Sequence, residues 1–387
     1  MFEPFLFKAS GRLVDFMRQA DEPGLINLAA GVPGLEALPA EELTRAFERA
    51  SKKDGSALFA YHHPEGDHAL RDLVAEQLRA RGASIRGSEL ITTTGCTQAL
   101  QLMLSVLLKP GDVVACEAPA YYGMLELLSE AQARVLPVPL RAGDGIDITR
   151  AEELLQRWQP RCLIVCTSLS NPSGATVPEE NRKKLVATCA RLGVRLIEDD
   201  IYAELVDGGP PRTTLAFDDG ATVAYVSSFS KSVSPGVRVG ICAPGDLYEQ
   251  VAERKCQQDL HSGVVTEAVL REFLAVGAMK PHLERLRERN ARRRALALDA
   301  IGRMFPENTK VTIPRGGYML WAELPRRVDL PVVRRQARER GIVFASGDVF
   351  FAGVPPVSAL RLNCAKAGEE ELVRGIETLG QLLCNAA

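Results

Sequence analysis

The sequence predicts an α/β fold: a large domain on a mostly parallel sheet, followed by a smaller α+β domain. Three observations carry that expectation. Short apolar runs alternate with helical patterns through the middle of the chain, the pattern changes at Pro281, and 387 residues exceed one ordinary domain.

The first forty or so residues hold turn chemistry at Gly31-Val32-Pro33-Gly34 and too little apolar content for a core of their own. Residues 1–40 are therefore expected to pack on the small domain and the interface. Residues 41–280 are expected to form the large domain. Within it, a helical pattern over 97–108 stops at Lys109-Pro110-Gly111, which joins a basic last turn to two breakers. Val113-Val114-Ala115-Cys116 follows as a short buried strand, with further strands expected at 133–138, 162–167, 194–198, 222–226 and 237–242. Helical patterns at 122–131, 149–158 and 178–192 separate several of them. Strands separated in this way are joined by crossovers, which favours parallel neighbours with helices on both faces. From Pro281 a long helix (281–304) leads to strands near 310–313 and 318–323. A helix, another strand and a closing helix (369–383) complete a smaller domain, 281–387.

A formal net charge of −2 offers no attraction to nucleic acid or an anionic membrane. The arginines at 285, 287, 289, 292, 293 and 294 alternate with leucine and alanine and read as the solvated face of a helix. Nine cysteines, an odd number without a C-x-x-C pair, suit a reducing compartment better than a disulfide framework or a zinc site. No apolar run is long enough to span a bilayer, and residues 1–10 lack the apolar core of a signal peptide. A soluble, cytoplasmic protein without a metal site is expected.

Several segments carry chemistry. Lys231 sits among small residues in Ser228-Phe229-Ser230-Lys231, with Arg238 seven residues on. A lysine that attacks an aldehyde must lose its proton, which desolvation and nearby positive charge promote. Ser228 and Arg238 could grip a phosphate. Thr94-Gly95-Cys96-Thr97 opens a helix, and free N–H groups at such a start attract anions. Asp199, ending an apolar run, sits where doubly wound sheets bind ligands and could hold a pyridinium nitrogen protonated. Tyr202 and Asn171 offer donors, and Tyr121 an aromatic face. Taken singly, these segments also read as a surface lysine, a helix cap and an acidic turn.

In this order and spacing they resemble the class I/II aminotransferases of pyridoxal-phosphate fold type I over nearly the whole chain, and within them the 2-aminoadipate aminotransferase and MocR-like branch. Tyr61 with Glu65-Gly66, Asn171-Pro172-Ser173-Gly174, Glu198 to Tyr202, Pro314 with Gly316-Gly317-Tyr318, and Arg361-Leu362-Asn363 carry the likeness. Pro235-Gly236-Val237-Arg238, after Lys231, adds to it. The resemblance implies that Lys231 forms a Schiff base with pyridoxal 5'-phosphate and shuttles a proton at the substrate α-carbon. It pairs Asp199 with the ring nitrogen, sets Asn171 and Tyr202 on the ring oxygen, and stacks Tyr121 on the ring. It places Gly95, Cys96, Thr97, Ser228, Ser230 and Arg238 about the phosphate, and Tyr61 on the phosphate of a partner subunit in a homodimer with shared sites. Arg361, Gly31 and Asn171 face the substrate, and Arg12 lies near the place of an arginine that meets a distal carboxylate.

The chain departs from the pattern at Cys96, which offers a backbone N–H but no hydroxyl, at Ser173, and at Tyr318, which is expected to shape the substrate pocket. His62 and His63 read as solvated or capping residues. The implied reaction moves an amino group from an α-amino acid to a 2-oxo acid. A β-lyase or decarboxylase on the same fold is the alternative. A MocR-like sensor is less well supported, because only about thirty residues precede Gly31. Nucleotide readings fail for want of G-x-G-x-x-G at a helix start and of a P-loop.

Overall fold

A computed structural model describes residues 2–9, 14, 18, 22–141, 143–219 and 222–386. Two sheets organise them. The larger contains nine strands: β1 (Phe5–Leu6), β3 (Ile91–Thr93), β4 (Val113–Ala118), β5 (Arg134–Arg141), β6 (Gly145–Ile146), β7 (Cys162–Val165), β8 (Arg195–Asp199), β9 (Val223–Ser228) and β10 (Gly240–Ala243). Their spatial order is β1-β5-β4-β7-β8-β9-β10-β3, with β6 on β5. The run β5-β4-β7-β8-β9 is parallel throughout. β10 is antiparallel to both β9 and β3, so β3 runs the same way as the parallel five. This is the mostly parallel α/β architecture expected, with β10 antiparallel toward one side and β1 and β6 antiparallel to β5 at the other.

The parallel strands are almost wholly buried and read as short Val/Ile/Leu/Cys runs because helices cover both faces. α1 (Ala40–Asp54), α2 (His68–Ala80) and α3 (Cys96–Leu107) come first. α4 (Tyr122–Glu130), α5 (Ile148–Trp158), α6 (Glu179–Leu192), α7 (Tyr248–Asp259) and α8 (Val264–Ala275) follow. Two apolar layers pack on the sheet, one including Leu100, Met103, Leu125 and Ile164 and the other Leu136, Leu154, Leu163 and Leu185.

α9 (Met279–Met304) leads to the second sheet, ordered β11-β12-β14-β13-β2. Its members are β2 (Ile26–Leu28), β11 (Lys310–Val311), β12 (Met319–Glu323), β13 (Ile342–Ser346) and β14 (Ala359–Asn363). α10 (Leu330–Glu339) and α11 (Glu369–Asn385) pack here, with Leu330 and Val333, and Leu372, Ile376 and Leu379, in the core of this sheet. The N-terminal segment contributes to both sheets: β1 pairs with β5 at the large sheet's edge, and β2 pairs in parallel with β13.

Two sequence expectations are corrected. The strand placed at 237–242 begins only at Gly240, because residues 235–237 form a 3-10 turn and Arg238 takes a left-handed conformation at φ 50°. The arginine-rich face of α9 is only partly solvated. Arg293 and Arg294 are buried and donate to the carbonyls of Ala365, Ala367 and Gly317, tying the helix to the second sheet's loops. Leucine–arginine alternation cannot distinguish a guanidinium that meets water from one that meets buried carbonyls.

Candidate active site

The C-terminal ends of β4, β7 and β8 open into a cavity of ≈ 590 Å³. Its wall includes Cys96, Thr97, Glu117, Tyr121, Asn171, Asp199, Tyr202, Ser230, Lys231, Arg238 and Arg361. Ligands of open parallel sheets bind at this edge, because strand-end loops diverge there.

Lys231 lies three residues beyond β9, half-buried, with its Nζ donating to the Gly31 carbonyl at 2.7 Å. Desolvation in the protein, then the positive charges of Arg361 and Arg238, push its pKa down to about 8. The amine is thereby poised to lose its proton near neutral pH.

Three consecutive carboxylates end β8, and their partners distinguish them. Glu198 is fully buried and accepts from Thr167 (2.5 Å), Thr213, Thr214 (2.7 Å) and Arg182. Asp200 is held by Arg81 and, at 2.6 Å, by Ser168. Both serve the framework. Asp199 faces the cavity, and the side chain that reaches it among the described residues is Cys96, with Sγ 3.4 Å from Oδ1. Desolvation raises the Asp199 pKa to about 6, against the opposing pull of the Cys96 thiol and the Ile201 N–H.

At another end of the cavity, Gly95 is the N-cap of α3 at φ 80°, without a side-chain cap. The first N–H groups of a helix lack intrahelical partners, so this start offers donors to an anion. At φ 80° and ψ 172° Gly95 holds a backbone conformation that L side chains rarely adopt, and a Cβ there would also stand 2.5 Å from Arg238 Nη2. The left-handed turn at Arg238 returns its guanidinium to this place, where Nη1 donates to Ser230 Oγ (3.1 Å) and Nη2 to the Thr94 carbonyl (3.0 Å). Thr97 and Arg238 stay exposed to the cavity.

On the second sheet, Arg361 in β14 is fully buried. Its Nη1 donates to Asn171 Oδ1 at 2.8 Å and its Nη2 to the Ala29 carbonyl, while Nε has no partner among the described residues. The guanidinium lies 5.0 Å from the Phe350 ring centroid and 6.0 Å from that of Tyr122. Asn363, two residues on, donates to the Val32 carbonyl (2.8 Å), and Asn27 accepts from the Ala29 and Ala30 N–H groups (2.9 Å each). Residues 27–32 are thus held across the cavity mouth.

Some predicted residues stand apart. Ser228 is buried facing Ser230 (2.8 Å) and does not line the cavity. Tyr61 is 84% exposed, 5.6 Å from the His261 ring, and His62 and His63 are exposed beside it. Arg12 lies outside the described residues. Tyr318 does not line the cavity but is buried behind it, donating from its hydroxyl to the Gly31 carbonyl at 3.3 Å. Glu117 escaped sequence reasoning as a functional group. It is buried in the cavity wall, accepts from Ser170 at 2.7 Å, and is pushed up to about 8 by burial. A carboxylate at the end of an apolar run, two residues before Pro119, was the available signal.

The profile of the family described as aminotransferase class I and II matches residues 23–379. The chain belongs to the class I and II aminotransferases. It is 33% identical over 387 aligned residues to a 2-aminoadipate transaminase of Thermus thermophilus, covering 97% of this chain and 96% of that one. It is also 30% identical to an uncharacterized HTH-type transcriptional regulator of Escherichia coli, YjiR, covering 97% of this chain and 80% of that one. Among solved structures, the α-aminoadipate aminotransferase LysN of Thermus thermophilus, complexed with N-(5'-phosphopyridoxyl)-L-leucine, superposes with a TM-score of 0.88 at 32% identity. That match covers 98% of this chain and 96% of LysN. A kynurenine aminotransferase of Pyrococcus horikoshii gives 0.91 at 26% identity, covering 98% and 95%.

This aminotransferase is a pyridoxal-phosphate enzyme of fold type I. The residues around its cavity fit that cofactor. The uncapped helix start with Arg238 suits a phosphate, the Asp199 carboxylate a ring nitrogen, the Tyr121 ring a flat face, and the depressed Lys231 amine an aldehyde.

Proposed function

We propose that this aminotransferase uses Lys231 to bind the cofactor aldehyde and to carry the proton at the substrate α-carbon. Bound pyridoxal phosphate supplies an aldehyde and an electron-withdrawing ring that stabilises charge on that carbon. Asp199 holds the ring nitrogen protonated, Asn171 and Tyr202 donate to the ring oxygen, and Tyr121 covers one face. The α3 start at Gly95, Cys96 and Thr97, with Ser230 and Arg238, holds the phosphate, while Ser228 acts behind them by fixing Ser230. Arg361 binds the α-carboxylate, with Asn171 setting its orientation and Gly31 forming the adjacent wall.

The observation that carries this reading is the convergence of three groups from different segments on one cavity. They are an amine shifted to about 8, a half-buried strand-end carboxylate, and a buried guanidinium whose Nε has no partner among the described residues. Cofactor chemistry accounts for an amine and a carboxylate that line one cavity beside this buried guanidinium; framework packing requires none of the three.

The donor side chain lies against residues 32–38, where Val32, Pro33, Leu35 and Leu38 make an apolar wall. Relatives named for 2-aminoadipate and kynurenine, both long-chain substrates, support donors of that size. Arg12 contacts a distal carboxylate when one is present. The working unit is a homodimer in the cytoplasm. Exposed Phe59, Tyr61 and Leu260 support a second copy covering this face and receiving Tyr61 at its phosphate. Free cysteines throughout the chain support a reducing compartment. No helix among the described residues is long and apolar enough to cross a membrane.

Replacing Lys231 by Ala tests the assignment. The purified variant should lose the long-wavelength absorbance of lysine-bound cofactor while keeping its fold by circular dichroism. Retention of that band would remove Lys231 from the reaction. If Arg12→Ala leaves the ratio of kcat/KM for acidic over aliphatic donors unchanged, the distal-carboxylate role is lost.

A further inference from the structure

At position 96 the backbone and the side chain serve different ends of the cavity. Cys96 is the first residue of α3, so its N–H belongs to the helix start beside Arg238. Its Sγ, however, points to Asp199, 3.4 Å from Oδ1, and the residue is buried with 7% of its surface exposed. A sulfur donor at this distance lies within hydrogen-bond reach.

The neighbouring acids show why that contact matters. Glu198 and Asp200 are saturated by threonine, serine and arginine partners and cannot rotate freely. Asp199, on the same strand end, has no arginine or hydroxyl partner of that kind among the described residues. Its side-chain anchor is the thiol. Burial and the adjacent carboxylate hold that thiol protonated, well above its ordinary range, so it donates.

We propose that Cys96 is a positioning residue: its thiol fixes Asp199 Oδ1 and leaves the carboxylate's other oxygen aimed at the cofactor ring nitrogen. The proposal rests on the cofactor reading given above. A residue whose backbone N–H belongs to the phosphate turn thus acts, through its side chain, on the carboxylate that would face the ring nitrogen. Cys96 donates to Asp199 Oδ1 and the Ile201 N–H also reaches the carboxylate, which leaves acceptor capacity for the ring nitrogen when the cofactor is bound. Losing the thiol leaves the Ile201 N–H as the remaining anchor, so the carboxylate is held less firmly and the ring nitrogen loses part of its partner.

The test compares two cofactors on one protein. Pyridoxal phosphate carries the ring nitrogen; its carbocyclic analogue has a C–H there and the same phosphate and aldehyde. Equilibrium dissociation constants are measured by absorbance for both compounds with wild-type protein, Cys96→Ala and Cys96→Ser, each checked by thermal melting. Loss of one modest hydrogen bond should raise the Kd of Cys96→Ala for pyridoxal phosphate by about 3- to 10-fold. Its Kd for the analogue should match wild type. The serine hydroxyl, still a donor, should recover part of the loss. Equal weakening of both compounds would assign Cys96 to the phosphate or to packing and overturn the proposal. Unchanged Kd values for both compounds overturn it equally. Wild-type protein that binds neither compound would instead remove the cofactor reading itself, and this inference with it.

Discussion

The depressed Lys231 amine has a direct kinetic consequence for cofactor capture. With a pKa of about 8, about one amine in ten is neutral at pH 7; at the ordinary 10.5 the fraction would be about one in three thousand. The structure therefore provides roughly 300-fold more nucleophile at neutral pH. Stopped-flow mixing of apoprotein with pyridoxal phosphate, followed by cofactor absorbance, measures this across pH 6 to 10. The rate should climb about tenfold per pH unit, then flatten near pH 8, since deprotonation is complete above the folded pKa. Arg361→Gln supplies the internal control. Arg361 is the largest contributor after desolvation, so removing its charge should move the flattening to higher pH and slow capture at pH 7. A rate still rising through pH 10 in wild type would refute the reasoning, as would a shift to lower pH in the variant.

Four perturbations separate the roles of neighbouring groups. Arg361→Gln should also lower kcat/KM for amino donors by roughly 100- to 1,000-fold, from two lost charge-assisted bonds of about 1.5–2 kcal/mol each. Steady-state kinetics at saturating cofactor checks this. Asp199→Ala should abolish turnover yet leave the urea midpoint near wild type. Asp200→Ala, which strands the buried Arg81, should cost about 3–5 kcal/mol of stability. Gly95→Ala places a methyl 2.5 Å from Arg238 Nη2 in a left-handed conformation and should weaken pyridoxal-phosphate binding at least tenfold by absorbance titration.

The parallel sheet was legible because each buried strand is a short apolar run bounded by turn residues, as in Cys162–Val165 and Arg195–Asp199. Lys231, Asn171 and Arg361 stood out only through their order and spacing, since each alone matches a common framework role. What stayed hidden was set by long-range contacts. Asp199 was named through the resemblance, but why Glu198 and Asp200 are unavailable was not legible: Arg182, Arg81 and three threonines, brought in by the fold, tie those two acids off. The Cys96–Asp199 contact joins residues 103 apart, and Arg361 meets Asn171 across 190. Glu117 and the buried face of Arg293 and Arg294 depend likewise on what the fold brings beside them.

With an amino acid alone, an aminotransferase converts its cofactor aldehyde to an amine while the amino acid leaves as the 2-oxo acid. Purified protein loaded with pyridoxal phosphate is mixed with a panel of single amino donors under anaerobic conditions, without a 2-oxo acid. Cofactor absorbance and released product are followed together. Stoichiometric conversion to the pyridoxamine form with one equivalent of 2-oxo acid is expected, fastest for donors with long side chains. Catalytic release of ammonia or carbon dioxide, with the cofactor returning to its starting form, would contradict it and assign lyase or decarboxylase chemistry to the same site.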